Sequence, residues 1–87
     1  MISEKNFKDA QDLMHEIDRL KKNKLELEKQ LSRADETDHK YTLVRDAHMS
    51  TAEEVLLYFV NKRRLLTSVI QVIQQDIDDK IYLLNNL

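Results

Sequence analysis

The residues that could catalyse a reaction or bind a metal lie in short clusters that lack the necessary partners. His15 and Glu16 begin an H-E-x-x-H metalloprotease pattern, but Arg19 occupies the position of the second histidine. Another cluster could ligate a divalent ion but lacks the glycine turn of an EF-hand loop; it consists of Asp35, Glu36, Asp38 and His39. Three histidines and no cysteine give no nucleophile–base pattern. We therefore predict that the chain is not an enzyme and that it uses no metal or cofactor.

The lysines and arginines form clusters whose chemistry favours binding instead. If two helices fold back on each other with residue i opposite about 87 − i, Lys24 lies opposite Arg63 and two basic clusters share one belt at mid-bundle. This basic belt consists of Arg19, Lys21, Lys22, Lys62, Arg63 and Arg64. Two interpretations are open, because a neighbouring subunit could neutralise the belt or an anionic partner could bind to it.

The composition limits the elements that can position these residues. The 87 residues include no glycine and no proline, where average usage would give about six and four. This excludes glycine-rich phosphate-binding loops and tight glycine turns and favours helices. The formal net charge of −2 argues against general attraction to nucleic acid or membranes. The longest uncharged run, Leu65–Gln75, is too short to span a membrane, and the start has no signal-peptide pattern. We expect a soluble, intracellular (cytoplasmic) protein.

The first predicted helix covers about residues 3–35 and has a well-defined start. Ser3 is a good N-cap, and Ile2 and Phe7 can form a hydrophobic staple around it. Eight residues, all apolar except Lys24, follow the 3-4 spacing of a coiled-coil seam: Ala10, Leu13, Ile17, Leu20, Lys24, Leu27, Leu31 and Ala34. This helix therefore presents one narrow apolar stripe to a neighbour.

The second predicted helix covers about residues 51–86. Two overlapping capping boxes mark its start, namely Ser50 with Glu53 and Thr51 with Glu54. The segment Thr67–Gln75 is rich in β-branched residues and fits a strand as well as a helix. The 3-4 spacing that continues from Leu56 to Ile77 favours the helix.

Residues 36–50 are predicted to connect the two helices. This connector contains no helix breaker, so a short third helix from about Asp38 to His48 is one option. A single unbroken helix over the whole chain is the main alternative. It would place Asp38, Arg45 and His48 where the seam of the first helix continues, and it would need no internal cap. We therefore favour a helical hairpin.

The second helix has a wider apolar face than the first and carries charges that favour antiparallel self-pairing. Centred on Ile70, such a pair places residue i opposite 140 − i, so Arg64 meets Asp76 and Lys62 meets Asp78. The predicted oligomer interface consists of Leu56, Phe59, Leu66, Ile70, Ile73, Ile77, Ile81 and Leu84. An isologous two-fold contact needs a self-complementary patch of this kind.

These patterns predict a fold and two alternative functions. The predicted fold is all-α and coiled-coil-like: one helical domain, residues 1–87, forms a long hairpin that dimerises into a four-helix bundle. The first hypothesis is a non-enzymatic, oligomerising protein–protein interaction module, such as a scaffold, adaptor or inhibitor, that binds its own copies and a further protein. The alternative is a small nucleic-acid-associated regulator that uses the basic belt. Mixed charge signs argue against a membrane partner.

Overall fold

The chain folds into two helices with a β-hairpin between them in the sequence. The computed structural model describes residues 4–35, 37–45 and 53–87. Helix α1 covers Glu4–Ser32, strand β1 Asp38–Arg45, strand β2 Glu53–Asn61 and helix α2 Lys62–Asn85. The described chain is therefore mixed α/β, and the all-α prediction is wrong. No helix within the described residues combines the length and the apolar character needed to cross a membrane.

The strands replace the predicted connector and the predicted start of the second helix. Residues 38–45 form β1 and not a short connector helix. Glu53 and Glu54 begin β2, so the two capping boxes do not open a helix, and their partners Ser50 and Thr51 lie outside the described residues. The strand is favoured because four of the six residues of Val55–Val60 are β-branched or aromatic, and cross-strand pairing stabilises them. The continuous-helix alternative is also wrong.

Helix α2 begins at Lys62 with a side-chain cap. The Oδ1 atom of Asn61 accepts a hydrogen bond of 3.0 Å from the backbone N–H of Arg64, which satisfies one of the free amides of the first turn. The ambiguous segment Thr67–Gln75 lies wholly in this helix, as its 3-4 spacing predicted. At the other end of the chain, α1 covers 29 residues of the predicted helix at about 3–35.

A bulge interrupts the pairing of the two strands near the helices. Tyr41 lies opposite Leu57, and the register shifts between His39 and Tyr41. Two residues of β2, Tyr58 and Phe59, therefore lie opposite a single residue of β1, Lys40. Phe59 has a φ of 54°, the left-handed conformation that relieves this mismatch at a cost to any residue with a Cβ atom. The bulge increases the local twist of the hairpin where it meets the helices.

The two helices pack antiparallel along a narrow apolar seam. Ile17, Leu66 and Ile77 are buried between them, together with Ala34 beyond the end of α1. Ile17 and Ala34 belong to the predicted seam of the first helix, whereas Leu66 and Ile77 were predicted to contact a second copy of the chain. A seam this narrow leaves the outer faces of both helices in solvent.

The register of the helix pair differs from the predicted one by about ten residues. Glu16 lies opposite Lys80, Lys24 opposite Gln74, and Arg63 reaches Ala34. Residue i thus faces about residue 97 − i, where the sequence predicted 87 − i. The strands follow nearly the same rule, since Tyr41 lies opposite Leu57. The shift arises because the β-hairpin moves the centre of the fold toward the C-terminus.

Candidate interaction surface

The β-hairpin has two faces because side chains alternate along each strand. We call the face that lies over the helices the inner face, and the opposite face the outer face. On the inner face, Tyr41 and Leu57 are half-buried, while their neighbours Leu43 and Val55 are exposed. A groove of about 250 Å³ separates this face from the helices; it is lined by Gln30, Tyr41, Thr42, Leu43, Leu57, Leu65, Leu66 and Val69.

The outer face is also apolar at its centre. Val44, Leu56 and Tyr58 lie there, and Leu56 leaves 45% of its side chain in solvent. The Nζ atom of Lys40 lies 5.7 Å from the centroid of the Tyr58 ring, within the range of a cation–π contact. The outer face therefore combines an exposed aliphatic centre with a cation held over an aromatic ring.

The outward edges of the two strands differ in charge. Within the described residues the sheet has two strands, so each strand has one edge without a neighbour. Strand β1 carries Asp38, Lys40 and Arg45, and such charges discourage pairing with another strand. In β2 the run Val55–Val60 has no charge, and both acidic residues precede it. An uncharged apolar edge of this kind is a template for a further strand.

A hydrogen-bonded turn links α1 to β1. The Oδ1 atom of Asp35 accepts hydrogen bonds from the hydroxyl of Thr37 (2.7 Å) and from its backbone N–H (3.2 Å), and it lies 3.2 Å from Nε2 of His39. The hydrogen bond from the Thr37 side chain, followed by that from His39, lowers the pKa of Asp35 to about 2. This arrangement is an Asx-turn that orients the first residues of β1.

Two side-chain groups near the turn and the groove bear on what this region can bind: the predicted acidic cluster and the hydroxyl of Tyr41. Glu36, a member of the predicted acidic cluster, lies outside the described residues, and among those described no group of three or more acidic or histidine side chains is placed to hold a metal. The hydroxyl of Tyr41 is buried with no hydrogen-bond partner among the described residues. Burial, and to a lesser extent the charge of Asp35, raises the pKa of Tyr41.

The structure divides the predicted oligomer interface between two regions. Leu66 and Ile77 are buried inside the chain, whereas Ile70, Ile73 and Leu84 are half-buried and Ile81 is exposed on α2. Leu56 and Phe59 lie on β2 and not on a helix. The predicted antiparallel pairing, with residue i opposite 140 − i, would place Leu56 opposite Leu84 and Phe59 opposite Ile81. Neither pair can form between two helices, because Leu56 and Phe59 lie in β2. Association of the chain with a second copy stays a prediction.

The two halves of the predicted basic belt lie at different levels of the molecule. Residues 19–22 lie on α1 at the level of residues 75–78 of α2, a stretch that includes Asp76 and Asp78. Residues 62–64 begin α2 at the other end of the helix pair, where Nη2 of Arg63 donates a hydrogen bond of 3.4 Å to the carbonyl of Ala34. At 1.5 Å per residue, about 20 Å of helix separates the two clusters. The structure does not bring them together as one belt.

Sequence reasoning missed most of the exposed hairpin surface. Tyr41, Leu43, Val44, Val55 and Tyr58 belonged to no predicted site. Their signal was the pair of runs KYTLVR and EVLLYFV, both rich in β-branched and aromatic residues. No protein-family model, curated protein or solved structure matches this chain.

Proposed function

We propose that this chain is a non-enzymatic, self-associating protein–protein interaction module whose assembly surface is the β-hairpin. The observation that carries the proposal is the exposure of large apolar side chains on both faces of a two-stranded sheet. Leu43 and Val55 are exposed on the inner face, and Val44 and Leu56 on the outer face. Exposed apolar patches on small proteins mark surfaces that bind other molecules.

The stability of the hairpin supports the same proposal. A two-stranded hairpin is marginally stable in water, and further strands or a packed face are needed to hold it. The helices cover only part of the inner face, chiefly Tyr41 and Leu57. Complete burial of one Leu or Val side chain contributes about 1.5–3 kcal/mol, so a second chain that covers Leu56 and its neighbours would stabilise the hairpin as well as the complex.

The helix pair supplies the second part of the module, a charged surface for a further protein. Its surface carries exposed charged side chains such as the ion-paired Glu26 and Lys29 of α1. The lysines and arginines of the two basic clusters are the candidates for that contact. The nucleic-acid alternative depended on one continuous basic belt, and the 20 Å separation of the clusters removes that support. We therefore favour a scaffold or adaptor.

The proposal is tested by the mass of the chain in solution. We expect light scattering to give at least twice the mass of one chain for the wild type at micromolar concentration. Leu56→Lys places a charge at the centre of the outer face and should give the mass of one chain. Val72→Lys is the matched control, because Val72 is an equally apolar residue, 61% exposed on α2. It should leave the mass unchanged.

The result that would contradict the proposal is a wild-type chain that stays monomeric up to about 100 µM, since an interface that buries several apolar side chains should bind more tightly than that. Far-UV circular dichroism of each variant shows whether the helices persist. Val44→Lys, on the neighbouring strand of the same face, provides a second variant. A folded Leu56→Lys variant that keeps the mass of the oligomer would place the assembly surface elsewhere.

A further inference from the structure

We infer that the second copy packs on the outer face of the hairpin, so that two hairpins stack face to face and the helices of both copies lie outside. The base of each hairpin, at Asp38 and Asn61, then lies over the distal end of the other, at Arg45 and Glu53. The inference rests on the proposed self-association and adds which face the second copy covers and in which direction it lies.

The bulge places two aromatic rings side by side on the outer face. Tyr58 and Phe59 both lie opposite Lys40, whose side chain is on that face. Their ring centroids are 6.4 Å apart, closer than two neighbouring side chains on opposite faces of a strand would be. Tyr58 is 59% exposed and Phe59 is 73% exposed. The irregular end of β2 therefore enlarges the apolar surface that begins at Leu56.

The area of the outer face is sufficient for a dimer. An aromatic side chain has about 150–250 Å² to bury, so the exposed parts of the two rings present roughly 200–300 Å². The exposed halves of Val44 and Leu56 add to this area. Two copies, together with the polar atoms around these side chains, reach the total of about 1,000 Å² that a specific interface needs.

The outer face is better suited to a second copy than the inner face or a strand edge. The helices already cover part of the inner face. Its exposed pair, Leu43 and Val55, adjoins the ion pair of Arg45 with Glu53, in which nitrogen and oxygen lie 3.5 Å apart. Pairing along a strand edge would leave the outer face in solvent. Stacking covers that face and gives a layered order of helices, sheet, sheet and helices.

Charges at the two ends of the outer face select the direction. Lys40 lies near the base, over the Tyr58 ring, and Glu54 lies near the distal end, opposite Val44. With base over distal end, Lys40 of each copy lies at the same end as Glu54 of the other, and the two-fold axis repeats the contact. With base over base, lysine would meet lysine and glutamate would meet glutamate. Electrostatic complementarity therefore favours the first arrangement.

The absence of cysteine from the sequence allows a direct test of the covered face by single-cysteine cross-linking. Thr42 and Leu56 form the middle pair of the outer face, so each lies over its own copy in the stacked dimer. Thr42→Cys and Leu56→Cys should each give a covalent dimer with a short bismaleimide, because packed sheets lie about 10 Å apart. Leu43→Cys and Val55→Cys are the matched controls. These exposed neighbours lie on the inner face, with both sheets between the two copies, and should not cross-link.

Charge reversal tests the direction. Glu54→Lys and Lys40→Glu should each weaken the dimer roughly tenfold in light scattering, because each places like charges together twice. An equimolar mixture of the two variants should regain the affinity, since both contacts of the mixed dimer then join opposite charges. Glu53→Lys is the matched control on the inner face and should leave the affinity unchanged. Far-UV circular dichroism of every variant checks that the helices persist.

The outcomes separate this inference from the proposed self-association. A wild-type chain that is monomeric by light scattering would overturn both. In an oligomeric wild type, four results would overturn the inference alone: no cross-link at Thr42→Cys or Leu56→Cys, a cross-link at only one of them, which indicates a strand edge, a cross-link at Leu43→Cys or Val55→Cys, which indicates the inner face, or no effect of either charge reversal, which indicates base over base. Cross-links at both outer positions alone, with weakening by each reversal and recovery in the mixture, support it.

Discussion

Glu16 on α1 and Lys80 on α2 form an ion pair with 3.2 Å between Oε2 and Nζ. Together with the contact of Lys24 with Gln74, this pair shows the register in which the two helices meet. It also decides which charges meet. The first basic cluster lies at the level of residues 75–78 of α2, about 20 Å along the helix from the second basic cluster, so the two clusters do not meet across the helix pair.

The contribution of the Glu16–Lys80 pair to stability should be small and measurable as a coupling. Both side chains are partly exposed, so we expect a coupling free energy of about 0.2–1 kcal/mol. The measurement is a double-mutant cycle in urea with Glu16→Gln, Lys80→Gln and the double variant. The coupling should fall in 1 M salt. A coupling of zero at low salt would show that the two side chains do not interact in solution.

The helix seams could be predicted from the sequence because their signal is local. Ile17 and Ala34 were predicted on the seam of the first helix and are buried. Leu66 and Ile77 follow the 3-4 spacing of the second helix; they were predicted to contact a second copy, and they are buried inside the single chain instead. A 3-4 apolar spacing directly encodes which side of a helix meets its neighbour. Which residues of the two helices lie opposite one another is not encoded locally, and an error in the connector shifted every predicted cross-helix pair.

The hairpin could not be predicted by the same reasoning because two patterns overlap in it. Leu56 and Phe59 continue the 3-4 spacing of α2, and Glu53 and Glu54 complete capping boxes. The sequence also lacks the glycine that usually marks a hairpin or a bulge. At the bulge a phenylalanine, Phe59, adopts the conformation that glycine would favour. The decisive contribution is the pairing of β1 with β2, which is a non-local interaction.

The buried seam should be sensitive to the volume of its side chains. Ile77 is 3% exposed, the least of the core residues. We expect Ile77→Val to lower the free energy of unfolding by about 0.5–1.5 kcal/mol and Ile77→Ala by about 2–5 kcal/mol, measured by urea denaturation. Val72→Ala is the control, since Val72 lies on the exposed side of the same helix and its truncation should cost less than about 0.5 kcal/mol. Equal losses at both positions would place the seam elsewhere.

The Asx-turn at Asp35 should make the free energy of unfolding depend on pH. The pKa of Asp35 is about 2 in the folded chain and 3.8 in its ordinary state, so the folded form holds the carboxylate charged. The stabilisation is complete above about pH 4 and is lost as the pH falls through about 2. Asp35→Asn removes this dependence, so the difference in urea midpoint between wild type and variant should shrink between pH 5 and pH 2. A difference that is constant over this range would contradict the role of Asp35.

The left-handed conformation of Phe59 predicts which of two substitutions at this position gives the more stable chain. Phe59 has a φ of 54° and a side chain that is 73% exposed, so its replacement relieves backbone strain and removes little packing within the chain. Glycine adopts this conformation without a Cβ clash but loses more entropy on folding, and the balance should make Phe59→Gly more stable than Phe59→Ala by about 0.5–1 kcal/mol.

Urea denaturation at one fixed low protein concentration measures this difference, because association would otherwise raise the apparent stability. The neighbouring residue Tyr58 gives the control, because among the described residues Phe59 has a positive φ, whereas Tyr58 has a negative one. At Tyr58 the order should reverse, with the glycine variant less stable than the alanine variant, because an extended strand gains nothing from glycine. If glycine is less stable than alanine at both positions, Phe59 does not hold the left-handed conformation in solution.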